Sequence, residues 1–346
     1  MILRSLLLSL TLATFLPLHA STGSASTRTQ PRRPLQLELD GRWIGHGVSF
    51  SPYRDGQEPG GAQPSDAELL EDLRLVARYW NWIRTYDSTS LAERTLALIR
   101  RERLPLRVML GVWIVPDTQP ADREKNRVEI AAAIRLANAY SDIVNAVAVG
   151  NEACVAWSAY RTTPEAIIGH IRTVRAAVPQ PVTSADDYKF WTAAESEPVS
   201  AELDFITLHA YALWNGQPLD TAMEWTDGIY RQVVARHAGV PVIFGETGWA
   251  TQNDRTRTQS WEEGSLMKAE ASVAAQEKYL RQHYAWVQRT RVPTFLFEAF
   301  DENWKGGGAK VSPAAAEKHW GVFGVDRHPK ESFRQIIREF HPAAVP

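Results

Sequence analysis

The sequence predicts an α/β fold, a single-domain (β/α)8 TIM barrel, and three observations carry that expectation. From about Trp43, short apolar runs alternate with longer amphipathic ones through eight cycles, the pattern of βα units around a parallel sheet. Two of the runs stop abruptly in glycine and glutamate: Val144 to Glu152, and Pro241 to Glu246. At 346 residues and 44% hydrophobic content the chain can bury one large core, and a barrel of ~250 residues with insertions needs no second domain.

The elements follow in order. The first strand lies near Ile44 to Phe50, and a Gly/Pro-rich loop from Ser51 to Pro64 leads to Ser65, an N-cap with Glu68 three residues on, before a helix to about Tyr79. Trp82 to Tyr86 is the second strand, followed by a helix from Leu91 to Glu102; Leu106 to Trp113 is the third, with its helix from Asp122 to Tyr140. The fourth strand, Val144 to Glu152, is built of small and β-branched residues, which suits burial on both faces of a parallel sheet. Thr163 with Pro164 behind it opens the next helix, to Ala177. Pro181 to Ala185 is a short fifth strand, and Phe205 to Tyr211 the sixth, with a helix from Thr221 to His237. Val240 to Glu246 is the seventh strand, a long loop and a helix from Leu266 to Thr290 follow, Pro293 to Phe300 is the eighth, and Ser332 to Phe340 closes the ring.

An open doubly wound sheet lacks its signature here. No Gly-x-Gly-x-x-Gly follows the first strand and no Gly-Lys-Ser/Thr loop occurs, so no nucleotide is expected. The Gly306-Gly307-Gly308 run reads as plain flexibility. A net charge of -2 without a basic stripe argues against nucleic acid. The 13 Trp either fill the core or offer flat faces to sugar rings, and Trp113, Trp157, Trp214, Trp249 and Trp304, at or just after strand ends, are candidates for sugar stacking, with about half of them expected to be core instead.

Residues 1–20 have a charged start, an apolar run from Ser5 to Leu18 and a small residue before Ser21, the plan of a signal peptide, so export to the periplasm or beyond is expected. An uncleaved membrane anchor is the alternative. Residues 21–40, rich in Ser, Thr, Arg and Pro at their start, read as a linker, and 41–346 as the catalytic domain. The sole cysteine, Cys154, can form no intramolecular disulfide.

In a barrel, residues at strand ends assemble the active site at the C-terminal face, so Glu152 and Glu246 are expected to share one cleft. Each alone could cap a helix or pair with an arginine. Together they match glycosidic cleavage, in which one carboxyl protonates the leaving oxygen and the other attacks the sugar carbon or activates water. Glu152 as the acid needs a raised pKa from apolar surroundings or a negative neighbour, and Glu246 as the nucleophile needs donors that keep it ionised. A separation of ~5 Å implies retention of configuration, one nearer ~8 Å inversion. His209 and Cys154 lie near this site, but no metal-ligand spacing links them, so no metal is expected. There is no Gly-x-Ser-x-Gly elbow for serine chemistry.

Gly150-Asn151-Glu152 and Gly245-Glu246-Thr247-Gly248-Trp249 resemble the retaining (β/α)8 glycosidases, and more specifically glycoside hydrolase family 17, the β-1,3-glucanase family, in its bacterial branch. The stretches Gly47 to Tyr53, Asp204 to Tyr211, Phe297 to Lys305 and Glu317 to Phe323 extend the resemblance over roughly Gly41 to Phe323. It implies Glu152 as acid/base, Glu246 as nucleophile forming a covalent intermediate, Asn151 on the sugar 2-hydroxyl and Tyr211 beside the nucleophile. It further implies that Glu302, Lys305 and Glu317 form a charged cluster lining the cleft, with Tyr53 and Trp249 among the substrate contacts. The plain alternative for the cluster is a surface ion-pair network.

The expected function is a cofactor-free, monomeric retaining hydrolase of β-linked glucan, most simply β-1,3-glucan. A glucanosyltransferase shares its intermediate and differs in whether water or a sugar hydroxyl resolves it. A glycosidase for another β-linkage and a non-catalytic glucan-binding barrel are the other readings.

Overall fold

The apolar runs form eight parallel strands in the computed structural model, which describes residues 31–341. These are β1 (His46–Ser49), β2 (Trp82–Arg84), β3 (Arg107–Val112), β4 (Val144–Asn151), β5 (Val182–Asp187), β6 (Ile206–His209), β7 (Val242–Thr247) and β8 (Thr294–Leu296). Each pairs with the next, and β8 pairs with both β7 and β1, so the sheet closes into a barrel with no free edge. The (β/α)8 architecture expected from the eight cycles is the one observed.

Successive strand residues point to opposite sides, which sorts them into two cores. Val147, Val149 and Phe244 pack outward with the helices, whereas Met109, Ala146, Ala148, Phe205, Ile243, Phe295 and Trp82 cluster inside. Trp82 and Phe295 meet with ring centroids 4.0 Å apart. A Cβ on Gly47 would stand 2.8 Å from the Phe295 ring and 2.6 Å from the Trp82 carbonyl, so β1 can pass them only as glycine.

The helices begin where the caps are. Ser65 and Glu68 form a reciprocal capping box on α1 (Asp66–Val76), with the Ser65 amide donating to the Glu68 carboxylate at 2.7 Å. The hydroxyl of Thr163 accepts from the Ala166 amide at 3.2 Å to open α4 (Pro164–Ala177). Between these lie α2 (Ala92–Glu102) and α3 (Pro120–Ala139). Two short helices, α5 (Tyr188–Trp191) and α6 (Glu197–Glu202), follow β5, and α7 (Ala222–Arg236) follows β6. The helix expected over Leu266–Thr290 is divided into α8 (Glu263–Leu266) and α9 (Val273–Thr290), because Ser272 caps a new start by accepting from the Ala275 amide at 3.1 Å. The last is α10 (Glu331–Phe340).

The fifth strand runs two residues past its expected end, to Asp187, whereas the eighth stops at Leu296, short of Phe300. Residues 31–40 were expected to be linker, yet they lie against the barrel. Arg33 donates to the carbonyls of Arg175, Val178 and Gln180 at 2.7–2.8 Å and its amide to Asp204 at 2.8 Å. Leu35, Leu37 and Leu39 pack on the inner core, and Glu38–Leu39 pairs with Arg42–Trp43 as a hairpin. Apolar side chains on alternate residues cover the N-terminal end of the core, which a free linker would leave to water. The expected signal peptide and the rest of the linker lie outside the described residues. No helix among the described residues is long and apolar enough to cross a membrane.

Candidate active site

Both glutamates are aimed by glycine bulges. Along β4, Ala148 pairs with Thr183 and Asn151 with Ala185, so three steps of one strand face two of the other across Val149 and Gly150. Gly150 has φ +84°, and a Cβ there would stand 2.9 Å from Ile167 Cδ1. Glu152 follows with φ +50°, a left-handed conformation that an L-residue holds at some cost and that turns its carboxyl into the barrel mouth. Along β7, Leu208 pairs with Phe244 and His209 with Glu246, which leaves Gly245 as the extra residue. A Cβ on Gly245 would stand 2.3 Å from Thr207 Cγ2 and 2.9 Å from His209 Nε2. Gly150 and Gly245 are therefore geometric requirements of the two strand ends.

The carboxyls meet through His209. Its Nδ1 lies 3.0 Å from Glu152 Oε1 and 3.5 Å from Glu246 Oε2, and one oxygen of each carboxyl and a ring nitrogen all fall within 4.8 Å of one another. This is the short spacing of a retaining pair. Around Glu246, Arg84 Nη1 donates to Oε1 at 2.5 Å, Tyr86 to Oε1 at 3.1 Å and Tyr211 to Oε2 at 2.5 Å. The other guanidinium nitrogen, Arg84 Nη2, donates to Asn151 Oδ1 at 2.6 Å. A guanidinium only donates, so the Asn151 oxygen must face it and the amide NH2 is left to donate into the cleft.

These contacts drive the two carboxyls apart in pKa. Burial pushes Glu152 well up, and the negative charges of Glu246 and Asp187 add to it. Burial also opposes ionisation of Glu246, but His209, Arg84 and Tyr211 outweigh it and hold the carboxyl down to about 2. Burial pushes His209 itself down to about 4, so at neutral pH the imidazole is neutral and the standing cation beside Glu246 is Arg84. Burial and the Glu246 charge push Tyr86 and Tyr211 well up, which keeps both as O–H donors. One carboxyl is thus poised to hold a proton and its neighbour to stay ionised, the division that acid and nucleophile roles require. The trio of Glu152, His209 and Glu246 has a spacing that could hold a cation, but the Arg84 guanidinium already occupies the flank of Glu246 and repels one.

A family model for the BtgE/BtgC glycoside hydrolase domain matches residues 47–321, which runs from within β1 through β8 and includes both glutamates. The chain belongs to that family. Among curated relatives, a glucan 1,3-beta-glucosidase of Schizosaccharomyces pombe is 28% identical over 263 residues, covering 71% of this chain and 75% of the relative. One of Arthroderma benhamiae, also a glucan 1,3-beta-glucosidase, is 26% identical over 79% of this chain and 86% of its own. Among solved structures, an active-site mutant of the Rhizomucor miehei beta-1,3-glucanosyltransferase in complex with laminaritriose superposes with a TM-score of 0.67 at 26% identity, over 83% of this chain and 96% of that one. An endo-laminarinase from Formosa shares the fold, with a TM-score of 0.74 at 24% identity over 86% and 88% of the two chains.

Within this BtgE/BtgC-type domain the structure gathers Glu152, Glu246, Asn151 and Tyr211 around one point, and sets others of the expected residues apart. Trp249 is 1% exposed, its indole donating to the Glu270 carbonyl at 2.9 Å, so it is a core residue with no face for a sugar. Tyr53 is 5% exposed, shares its hydroxyl with Ser90 at 2.9 Å and meets the Trp304 ring edge-on, so its hydroxyl is engaged within the protein. Glu302 is fully buried and accepts from Ser51 at 2.7 Å and the Trp304 indole at 2.9 Å. Lys305 is clamped between Glu298 at 2.5 Å and Glu302 at 2.9 Å, with its ammonium 4.5 Å from the Phe297 ring centre. Burial opposes its charge, yet Glu298 and Glu302 push its pKa well up. This ion pairing is buried, unlike the surface network posed as the alternative. Glu317 is half-buried. Trp113, Trp214 and Trp304 are half-buried, and Trp157 is 56% exposed.

Sequence reasoning missed Arg84 and Tyr86. The signal was present, since both are polar residues ending the apolar second strand, as the glutamates do theirs. The glycine run also differs from expectation. Gly306, Gly307 and Gly308 have φ of +65°, +110° and +61°, a specific turn that other residues adopt only under strain.

Proposed function

We propose that this protein is a retaining hydrolase of β-1,3-glucan that works by double displacement, with Glu152 as acid/base and Glu246 as nucleophile. The observation that carries the reading is a pair of carboxyls within 4.8 Å, one pushed towards protonation and one held ionised. The relatives' names supply the substrate class: two glucan 1,3-beta-glucosidases and a glucanosyltransferase with laminaritriose bound.

The Glu152 proton passes to the glycosidic oxygen as a Glu246 oxygen attacks the anomeric carbon, which breaks the glycosidic bond and leaves a glycosyl ester. Asn151 donates to the 2-hydroxyl as charge develops at that carbon. In the second step Glu152, now a carboxylate, takes a proton from water, and the resulting hydroxide character displaces Glu246. A sugar hydroxyl in place of water gives transfer, a second reading favoured by the likeness to the glucanosyltransferase. Glu152, Glu246 and the donors around them make a complete site within one barrel, and a monomer is proposed as the working unit. Export, proposed from residues 1–20, would place the site where glucan is met.

The test is product analysis on β-1,3-, β-1,4- and β-1,6-linked glucose oligomers by mass spectrometry and NMR. β-1,3 cleavage with a β-configured first product is expected, and products longer than the substrate would mark transfer. An α-configured first product, or full activity in Glu246→Ala, would overturn the mechanism.

A further inference from the structure

Two charged side chains that the reaction does not use are buried in the loops beyond β7 and β8. Lys318 is 4% exposed and has no carboxylate partner among the described residues; its ammonium donates to the carbonyls of Gly308 at 2.8 Å and Val311 at 3.1 Å. Glu263 is 2% exposed and accepts from the amides of Ala316 at 2.6 Å and Asp254 at 3.1 Å, and from Arg257 at 3.0 Å. A charge leaves water only where its hydrogen-bonding capacity is met, so each contact fixes the backbone it touches. Lys318 thereby ties down the turn of three positive-φ glycines, and Glu263 ties the loop after β7 to the loop after β8.

The two tied residues, Ala316 and Lys318, flank Glu317. Gly306 closes in from the other side, since a Cβ there would stand 3.2 Å from Glu317 Cβ. Glu317 has no hydrogen-bond partner among the described residues. The charges that face it are Lys305 at the head of the glycine turn, Glu246 on β7, and Glu263 and Arg257 in the β7 loop, and burial raises its pKa. Its own charge reaches Glu152, adding to the raised pKa there. A half-buried carboxyl that has Lys305 and Glu246 among its charged neighbours and its acceptor capacity unspent is suited to a sugar hydroxyl.

We propose that Glu263 and Lys318 are positioning residues: by pinning the chain on both sides of Glu317 they hold its carboxylate in the cleft, where it accepts a hydroxyl of the bound glucan. This rests on the glucan reading above. It adds that the glycine turn, through Lys318, is part of what sets substrate affinity.

The experiment is a double-mutant cycle with Glu317→Gln, Lys318→Met and Glu263→Gln, measured on the β-glucan oligomer that the wild type cleaves. Each single change is expected to raise KM by about tenfold with a smaller effect on kcat. In the Glu317→Gln background, neither Lys318→Met nor Glu263→Gln should raise KM further. Each should also move the alkaline limb of kcat/KM to lower pH, as Glu317→Gln does, because withdrawing a negative charge eases ionisation of Glu152. A merely structural loss would persist in the Glu317→Gln background and leave the limb in place, and either result overturns the proposal, as does an unchanged KM. If Lys318→Met fails to fold, the isosteric Glu263→Gln carries the cycle alone. If the wild type cleaves no glucan, the function reading fails, and the same cycle read as the Kd of laminari-oligosaccharides by calorimetry still decides the positioning role.

Discussion

Tyr211→Phe isolates one of the contacts that keep Glu246, the proposed nucleophile, ionised. The hydroxyl donates to Glu246 Oε2 at 2.5 Å, and its ring is held independently by edge contacts with Trp320 at 5.0 Å and Phe297 at 5.6 Å between centroids. Losing the oxygen should leave the ring in place. A hydrogen bond to a charged group contributes about 1.5–3 kcal/mol, and 1.36 kcal/mol corresponds to a tenfold change in ionisation. The Glu246 carboxyl, held at about 2, should therefore rise by roughly one to two pH units. Catalysis needs the ionised form, so activity is lost as pH falls through this value, and the acid limb of kcat/KM moves up by the same interval. At neutral pH Glu246 stays ionised through Arg84 and Tyr86, and any rate loss there reports orientation alone. The assay is initial rates on a laminari-oligosaccharide across the pH range, with the alkaline limb as internal control. A reduced rate with an unmoved acid limb would refute the electrostatic role and leave Tyr211 as a spacer.

Arg84→Met removes the standing cation from Glu246 and the donor that orients Asn151, and breaking a buried ion pair costs about 3–5 kcal/mol; a fall in kcat/KM of ~10²–10³-fold is expected, and a change under tenfold counts against Arg84 as the anchor. Glu152→Gln should abolish turnover of unactivated glucan and raise Tm. The sign follows from the raised pKa: a carboxyl that binds its proton more tightly when folded contributes in full below its unfolded pKa and loses that contribution as pH rises through the raised folded pKa, so the gain in Tm over wild type should grow across that window, as calorimetry would read. Gly245→Ala puts a methyl 2.3 Å from Thr207 Cγ2 and should destabilise by about 1–3 kcal/mol. Adding Thr207→Ser, which removes that carbon, should recover part of the loss in urea unfolding; no recovery places the strain elsewhere.

The barrel was legible because its signals are local. Alternation of apolar runs and capped helices, Ser65 with Glu68 and Thr163 with Pro164, survives in any window of the chain. Strand-end glutamates stood out because a charge closing an apolar run has no packing reason to be there. What stayed hidden depends on closure. Arg84 meets Glu246 only because β2 and β7 face each other across the barrel mouth, 162 positions apart in sequence. Trp249 reads like a cleft residue from its place three positions after Glu246, yet the chain turns its indole onto Tyr279 at 5.4 Å, behind the strand. The ends of β5 and β8 were misjudged because Asp186 and Asp187 sit in a strand against propensity, and Phe297 to Phe300 leave one despite it.

One network sets both pKa values, and in the proposed mechanism the same coupling would reverse the role of Glu152 between the two steps. In the free site the Glu246 charge is a principal neighbour opposing ionisation of Glu152. Once Glu246 carries the glycosyl group it is a neutral ester, and that opposition vanishes while Arg84 remains, now without its carboxylate partner. Glu152 has just given up its proton, and the changed field favours keeping it ionised, which is the state a general base needs to activate water or a sugar hydroxyl. When the ester breaks, the charge returns to Glu246 and Glu152 is driven to take a proton again. His209, neutral at working pH and 3.0 Å from Glu152, supplies polarity at this exchange without adding a charge that would pin Glu152 in either state.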